Sequence, residues 1–175
     1  MSALPIAPGD AVAELRTMTA AALDEVMALE VAVYPFPWSR GNFIDSLAAG
    51  HLAWTLHGDD GSLRAYCMAM VAADELHLLN ITVAAAWRRR GLSRRLLAEL
   101  EAAGRRHGAV TLWLEVRRSN LDAQDAYARL GFASVGVRRG YYPAAGGRED
   151  ALVLSRPILP PGGVGPTEGA IRAVE

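Results

Sequence analysis

Apolar positions along this chain recur with two periods, and the switches between them mark out the elements. The clearest helical spacing is Leu92, Leu96, Leu97 and Leu100, a one-sided apolar stripe that predicts a helix from the residues after Gly91 to about Arg106–Gly108. Ahead of it lies a strand-like run, Leu76–Val83. Behind it comes Ala109–Val116, broken only by Thr111 and Glu115, which reads as a strand buried on both faces. Towards the N-terminus, Ala11–Met18 reads as a short strand. Thr19 can then cap a helix running to about Val33, which Pro35 and Pro37 stop in the segment Tyr34-Pro35-Phe36-Pro37-Trp38. Ser39 caps a second helix through about Ala49, ended by Gly50. Two strands follow, His51–His57 and Ser62–Ala73, with Asp59-Asp60-Gly61 as their hairpin turn. Beyond the long apolar strand, Ser119-Asn120 offers caps to a helix Leu121–Leu130 closed by Gly131. Phe132–Val137 and Asp150–Ser155 then read as an antiparallel pair around a loop Arg138–Glu149.

The order β-αα-βββ-α-β-α-ββ combines hairpins with crossovers. It predicts an α/β fold with one mixed sheet covered by helices. Residues 1–10 carry prolines and a glycine and read as a loose leader; 11–157 read as a single domain. After Pro157 come Pro160-Pro161, Gly162-Gly163 and Gly165-Pro166, so 158–175 reads as a disordered tail.

At 175 residues the chain is long enough to close a core without staples. The single cysteine, Cys67, excludes an internal disulfide and fits a reducing cytoplasm; it reads as core in an alternating strand. Histidines at 51, 57, 77 and 107 are scattered, so no metal is expected. No apolar run reaches the length of a membrane span, and no basic-then-apolar leader opens the chain, so a cytoplasmic protein without a membrane partner is expected. A monomer is the expected state.

Chemistry concentrates first in Trp87-Arg88-Arg89-Arg90-Gly91-Leu92-Ser93-Arg94. A turn that leaves a strand and opens a helix points several free N–H groups, backed by the helix dipole, at one spot, and so suits a phosphate. Arg89, Arg90 and Arg94 can add charge at its rim. The spacing is not that of a nucleotide-hydrolysing loop, which requires GxxxxGK[ST], and the segment holds no lysine. Five arginines within eight residues also suggest nucleic acid. Yet the net charge is −1 and no aromatics are interleaved among them, which suits one small anion better than a polyanion. Arg88-x-x-Gly91-x-Ser93 resembles the pyrophosphate signature [RQ]-x-x-G-x-[GA] of the GNAT acetyltransferases, with Ser93 in place of the usual Gly or Ala.

Two further residues suit acid–base work. Glu115, in Leu112-Trp113-Leu114-Glu115-Val116, is a carboxylate at the end of an apolar strand; burial disfavours a carboxylate's charge and suits a general base near neutrality. The bland alternative is a strand-end glutamate paired with Arg117 or Arg118. Tyr127 is either a helix aromatic packed on the sheet or a proton donor. A phenol of ordinary pKa about 10 can protonate a departing thiolate whose conjugate acid lies near 8.5. Asn120 can cap its helix and also bond a coenzyme.

The motifs Leu79-Asn80-Ile81-Thr82-Val83, Arg90-Gly91-Leu92-Ser93, Trp113-Leu114-Glu115-Val116, Tyr127-x-x-Leu130-Gly131-Phe132, Tyr141-Tyr142-Pro143 and Gly147-Arg148-Glu149-Asp150 together resemble the RimI family. These are bacterial ribosomal-protein-alanine N-acetyltransferases, and the likeness extends from Phe36-Pro37-Trp38-Ser39 to Pro157. It implies the GNAT fold, acetyl-CoA as co-substrate, and a peptide substrate: the alanine-starting N-terminus of the eighteenth small-subunit ribosomal protein. By matching motif it implies Glu115 as proton acceptor and Tyr127 as proton donor. Ile81, Thr82 and Val83 would meet the acetyl group and pantetheine; Arg89, Arg90, Gly91, Leu92, Ser93 and Arg94 the pyrophosphate; Asn120 the coenzyme arm. Apart from the likeness, the loop that carries Tyr141, Tyr142, Arg148 and Glu149 suits peptide binding: its paired, rigid, half-polar tyrosines can clasp an extended chain, and its acidic pair Glu149 and Asp150, with Asp74 and Glu75, can favour a basic N-terminus, the alternative being a solvated hairpin. A GNAT enzyme of other N-termini or small amines, and a non-catalytic coenzyme-binding partner, are the alternative readings.

Overall fold

A computed structural model describes residues 13–160; the leader and residues 161–175 of the expected tail lie outside it. The elements are β1 (Glu14–Thr17), α1 (Leu23–Val33), α2 (Arg40–Ala48), β2 (Leu52–His57), β3 (Leu63–Ala72), β4 (Glu75–Val83), α3 (Leu92–Arg106), β5 (Thr111–Arg117), α4 (Leu121–Arg129), β6 (Ala133–Ala144) and β7 (Gly147–Pro157). All seven strands form one sheet in the order β1-β2-β3-β4-β5-β7-β6. Neighbours are antiparallel except β4 and β5, which are parallel and joined through α3. The element order is the expected one.

Local chemistry accounts for the helix ends. Ser39 and Asn42 form a reciprocal capping box at α2: the Ser39 hydroxyl accepts from the Asn42 N–H (3.2 Å) and the Asn42 amide oxygen from the Ser39 N–H (2.9 Å). Thr19 is extended but makes no side-chain cap bond; a 3-10 turn, Ala20–Ala22, leads into α1 instead.

Each face of the sheet carries its own core. On one side α3 lays Leu96, Leu97 and Leu100 over Ala65, Cys67, Ala69, Leu76 and Leu112. A side chain at Gly104 would sit 3.0 Å from Leu76, so glycine there lets the helix lie close. On the other side α1 and α2 pack Leu23, Val26 and Phe43 over Tyr66 and Met68. Cys67 is buried, and burial pushes its thiol up to about 12, which leaves it inert.

β4 changes parity part-way along. Leu78 pairs with Ala69 and Asn80 with Met68, so Leu79 is an extra residue, a β-bulge. Before it, Leu76 and Leu78 face α3; after it, Ile81 and Val83 do. Asn80 and Thr82 stand instead opposite Met68 and Tyr66, on the α1 side.

Three expectations require correction. β5 is not buried on both faces: Leu112, Leu114 and Val116 are buried but Trp113, Glu115 and Arg117 are only half so, because no helix covers that face fully. The segment 138–149 is not a loop. β6 and β7 run on to a turn at residues 145 and 146, and an irregular stretch between Arg138 and Tyr142 absorbs the extra residues. Pro143 is tolerated there because β6 is the sheet's edge. Finally, Ile158 is buried in the α3-side core and its N–H donates to Val110 (2.8 Å), so the folded part extends beyond Pro157. Among the described residues no helix is long and apolar enough to cross a membrane, and no group of His, Cys, Asp and Glu could hold a metal ion.

Leu100→Ala, deep between α3 and the sheet, should destabilise the fold by about 2–5 kcal/mol. Leu121→Ala, at 65% exposure, should cost under about 0.5 kcal/mol. Urea denaturation midpoints of the two variants check the contrast.

Candidate active site

Parallel pairing between β4 and β5 covers only Glu75–Leu78 against Thr111–Leu114. Both strands continue, to Val83 and Arg117, but β5 stays paired with β7 along its whole length and leaves β4 behind. Between the parted ends opens a cavity of about 440 Å³, with Leu79–Ile81 on one wall and Glu115–Arg117 on the other. On the β4 side, the Ala84 N–H donates to the Arg64 carbonyl of β3 (2.8 Å). Antiparallel pairs alternate in their bonding, so Val83 and Ile81 turn their N–H and C=O groups away from β3, into the opening. The Tyr34 hydroxyl, donating to the Ile81 carbonyl at 3.2 Å, agrees with that direction.

Glu115 and Tyr127 line this one cavity from different elements, β5 and α4. The Glu115 side chain is 16% exposed, and its carboxylate pairs with Arg138 of β6 (3.3 Å), not with Arg117 or Arg118. Those two arginines pair instead with Glu149 (3.3 Å) and Asp150 (3.5 Å). The Tyr127 ring packs edge-on against Phe132, centroids 5.4 Å apart. Burial pushes its phenol well above the ordinary range, with Tyr34 and Tyr142 adding to the shift, so the hydroxyl keeps its proton. Asn120 caps α4, its side chain accepting from the Ala123 N–H (3.1 Å), and also lines the cavity.

The glycine turn lies past the far end of β4. Arg89 (φ +62°) and Gly91 (φ +79°) both adopt left-handed backbone, and Gly91 is the N-cap of α3 without a side-chain cap. The helix's first N–H groups therefore have no side-chain acceptor. Nothing lies within 4 Å of where a Gly91 side chain would stand; glycine is required by the backbone angle, and the space beside it is open. Arg94 and Arg95 sit at the positive end of the helix dipole, where cations are disfavoured unless an anion joins them. Arg90 stacks on Trp87 (4.6 Å), whose ring also carries Arg64 (3.7 Å). Leu92 packs on the core, while Ser93 is exposed. Of the β4 residues, Ile81 lines the cavity, the Val83 side chain packs on the core and Thr82 is buried, with its hydroxyl 3.0 Å from that of Tyr34.

The expected peptide-side residues do not all converge. Tyr142 lines the cavity, and its hydroxyl donates to the Glu115 carbonyl (3.0 Å). Tyr141 stands outside it, 40% exposed, under the Arg138 guanidinium (5.3 Å). Arg148 donates to the Gly140 and Tyr141 carbonyls and so braces its own hairpin. Glu149 accepts from the Ser119 N–H (2.6 Å) and pairs with Arg117, tying the β5–α4 turn to β7; the Ser119 bonds hold its carboxyl below the usual range. Asp74 and Glu75 stand at the opposite, paired end of β4, away from the opening.

Among the cavity-lining residues that sequence reasoning passed over are Glu30 and Tyr34. For Glu30 a signal was present: it follows Leu23 and Val26 on the buried side of α1, where a carboxylate is out of place unless it has partners. Tyr34, beside two prolines, read only as the end of a helix.

Residues 23–132 match the model of the Acetyltransferase (GNAT) family. The chain belongs to this family. It is 42% identical over 130 residues to the [ribosomal protein bS18]-alanine N-acetyltransferase of Salmonella typhimurium, covering 74% of this chain and 87% of that protein. The Escherichia coli K12 protein of the same name is 39% identical over the same spans. Its crystal structure superposes with a TM-score of 0.75 at 33% identity, covering 92% of this chain and 99% of that one. Naa20 of Chaetomium thermophilum, at 21% identity and a TM-score of 0.73, shares the fold. GNAT enzymes draw on acetyl-CoA. The outward-turned β4 backbone and the uncapped, arginine-rich start of α3 fit its pantetheine and pyrophosphate.

If the α3 turn holds pyrophosphate, Gly91→Glu should weaken acetyl-CoA binding far more than Gly91→Ala. Alanine adds mainly the left-handed strain of roughly 1–2 kcal/mol, whereas glutamate also brings like charge into the open space. Calorimetry on folded variants checks this; equal affinities would remove the turn from the coenzyme site.

Proposed function

We propose that this chain transfers the acetyl group of acetyl-CoA to the α-amine of the N-terminal alanine of ribosomal protein bS18, directly, with both substrates bound. The observation that carries the reading is the meeting of a carboxylate, Glu115, and a half-buried phenol, Tyr127, in one cavity where β4 and β5 part. The choice of peptide is supported by relatives at 39–42% identity that bear that activity in their names.

Acetyl-CoA supplies the acyl group as a thioester. Glu115, directly or through water, takes the proton that the α-ammonium must lose before its nitrogen can attack the thioester carbonyl. The Val83 N–H, turned into the opening, donates to the carbonyl oxygen as charge gathers there. Tyr127 gives its proton to the sulfur as the carbon–sulfur bond breaks. The nitrogen's first proton goes to Glu115 and its second, shed as the amide forms, replaces the one Tyr127 gave to sulfur, so the steps balance and no covalent enzyme intermediate forms. Arg138 beside Glu115 keeps the carboxylate turned into the cavity's rim. The α3 turn, Arg89–Arg94, would hold the pyrophosphate, with Asn120 bonding the coenzyme arm. Tyr142 would flank the peptide, and Tyr141, Arg148 and Glu149 would shape the hairpin that presents it.

Mass spectrometry of ribosomal proteins from cells with and without this chain should show one acetyl group on the N-terminal alanine of bS18 only when it is present. In a substrate panel, alanine-starting peptides should be acetylated far faster than lysine side chains or spermidine. Faster turnover of a small amine would overturn the choice of substrate.

Tyr127→Phe keeps the ring packed on Phe132 but deletes the proton, so acetyl-CoA binding should survive while kcat falls by about 10² to 10⁴. Glu115→Gln should lose most activity at pH 7 and regain part of it between roughly pH 7 and 9, as the α-amine, of pKa about 7.7–8.0, deprotonates in solution. Wild-type turnover by Glu115→Gln at pH 7 would remove the base.

A further inference from the structure

Glu30 is 1% exposed and accepts hydrogen bonds from three different parts of the fold. The Trp38 backbone N–H, in the link between α1 and α2, donates at 2.7 Å. The Tyr66 hydroxyl of β3 donates to the other carboxylate oxygen, and the Asn80 amide of β4 reaches the same oxygen at 3.4 Å. Among the described residues no cation lies within ion-pairing distance of Glu30, in contrast to Glu115 with its Arg138. A buried carboxylate held only by neutral donors is a poor device for stability, since well-packed apolar residues often do as well or better. It is an effective device for fixing directions, because each donor must point at it.

What it fixes is one wall of the cavity. Tyr34, four residues on, donates to the Ile81 carbonyl (3.2 Å), and its oxygen lies 3.0 Å from the Thr82 hydroxyl, which in turn lies 3.2 Å from the Asn80 amide oxygen. The segment 34–38 is thus tied at both ends to the stretch of β4 that follows the bulge, Tyr34 directly to Ile81 and Thr82, and Trp38 through Glu30 to Asn80. Ile81 and Val83 are separately kept in register opposite Cys67 and Ala65 by the ladder bonds of their neighbours Thr82 and Ala84 to β3. The coenzyme-facing backbone therefore does not depend on Glu30, whereas the wall formed by residues 34–38 does.

We infer that Glu30 is a positioning residue for acetyl transfer, holding the Tyr34–Trp38 segment so that the incoming peptide amine is aimed at Glu115 across the cavity. The inference rests on the cavity between β4 and β5 being the acetyl-transfer site.

The test uses the full chain, an alanine-starting peptide and acetyl-CoA, with steady-state kinetics for the peptide and calorimetry for the coenzyme. Glu30→Ala should lower kcat/KM for the peptide on the order of ten- to a hundredfold, mainly through KM, with coenzyme affinity within about twofold of wild type. Glu30→Gln should restore part of the loss, because its amide oxygen can still accept from the Trp38 N–H and its amide nitrogen can donate to the Tyr66 oxygen, while the Asn80 amide alone loses its acceptor. Tyr34→Phe, which keeps the ring and removes only the hydroxyl's tie to β4, should raise peptide KM in the same direction. A parallel loss of peptide and coenzyme affinity in both Glu30 variants would mark a merely structural residue and overturn the inference. So would wild-type peptide KM in Tyr34→Phe, which decides the matter even if Glu30→Ala does not fold. A wild-type chain that binds acetyl-CoA but leaves the peptide unmodified overturns the acetyl-transfer reading itself, and this inference with it.

Discussion

Because β5 is paired to β7 over seven residues and to β4 over only four, its C-terminal half follows β7 when neighbouring strands turn relative to one another. A sheet that divides in this way exposes two rows of backbone polar groups inside the molecule, and each must find a partner. Two phenols meet part of that need, one from each side: Tyr34 bonds the Ile81 carbonyl on β4, and Tyr142 bonds the Glu115 carbonyl on β5. The remaining groups on β4 point into open space, the condition under which a ligand's amides can complete a ladder. The cavity, and the meeting of Glu115 and Tyr127 within it, follow from the shortness of one parallel contact.

The bulge at Leu79 works with that division. Without the extra residue, the alternation begun at Leu76 and Leu78 would send Asn80 and Thr82 into the apolar layer beneath α3. With it, both polar residues turn to the α1 side, where Glu30 and Tyr34 receive them, and Ile81 and Val83 take the apolar places. One residue inserted into a strand thus converts what would be a burial penalty into the polar frame of the site.

How much of this was readable depends on whether the signal is local. The Ser39 cap, the glycine at the start of α3, the apolar stripe of that helix and the carboxylate closing the β5 run are each decided within a few residues, and all were legible. Their convergence in one cavity was not, since periodicity carries no information about where a parallel ladder stops. The β6–β7 hairpin was misread because Gly140, Pro143, Gly146 and Gly147 carry turn chemistry, while an edge strand tolerates the irregular pairing that absorbs it. Arg148 and Glu149 stood out for the same reason, as charge in a supposed loop; what the sequence does not show is that, on a strand, both side chains have neighbours to brace. Glu30 was hidden by the opposite bias, one buried acid within an otherwise apolar helix face.

The last strand, β7, lies between β5 and β6 rather than at the sheet's margin. Glu115 stands opposite Val153, so the wall bearing the carboxylate has no fixed place until residues near the end of the domain arrive. During synthesis the strands from β1 to β4 and helix α3 can collapse on one another early, but the split in the sheet cannot exist before β7 leaves the ribosome and inserts. At elongation rates of roughly 5–20 residues per second, the stretch from β5 to β7 emerges over a few seconds in which β5 has only its short contact with β4. In a nascent chain of this topology the wall that bears Glu115 is therefore the last part of the sheet to be fixed, when β7 enters between β5 and β6.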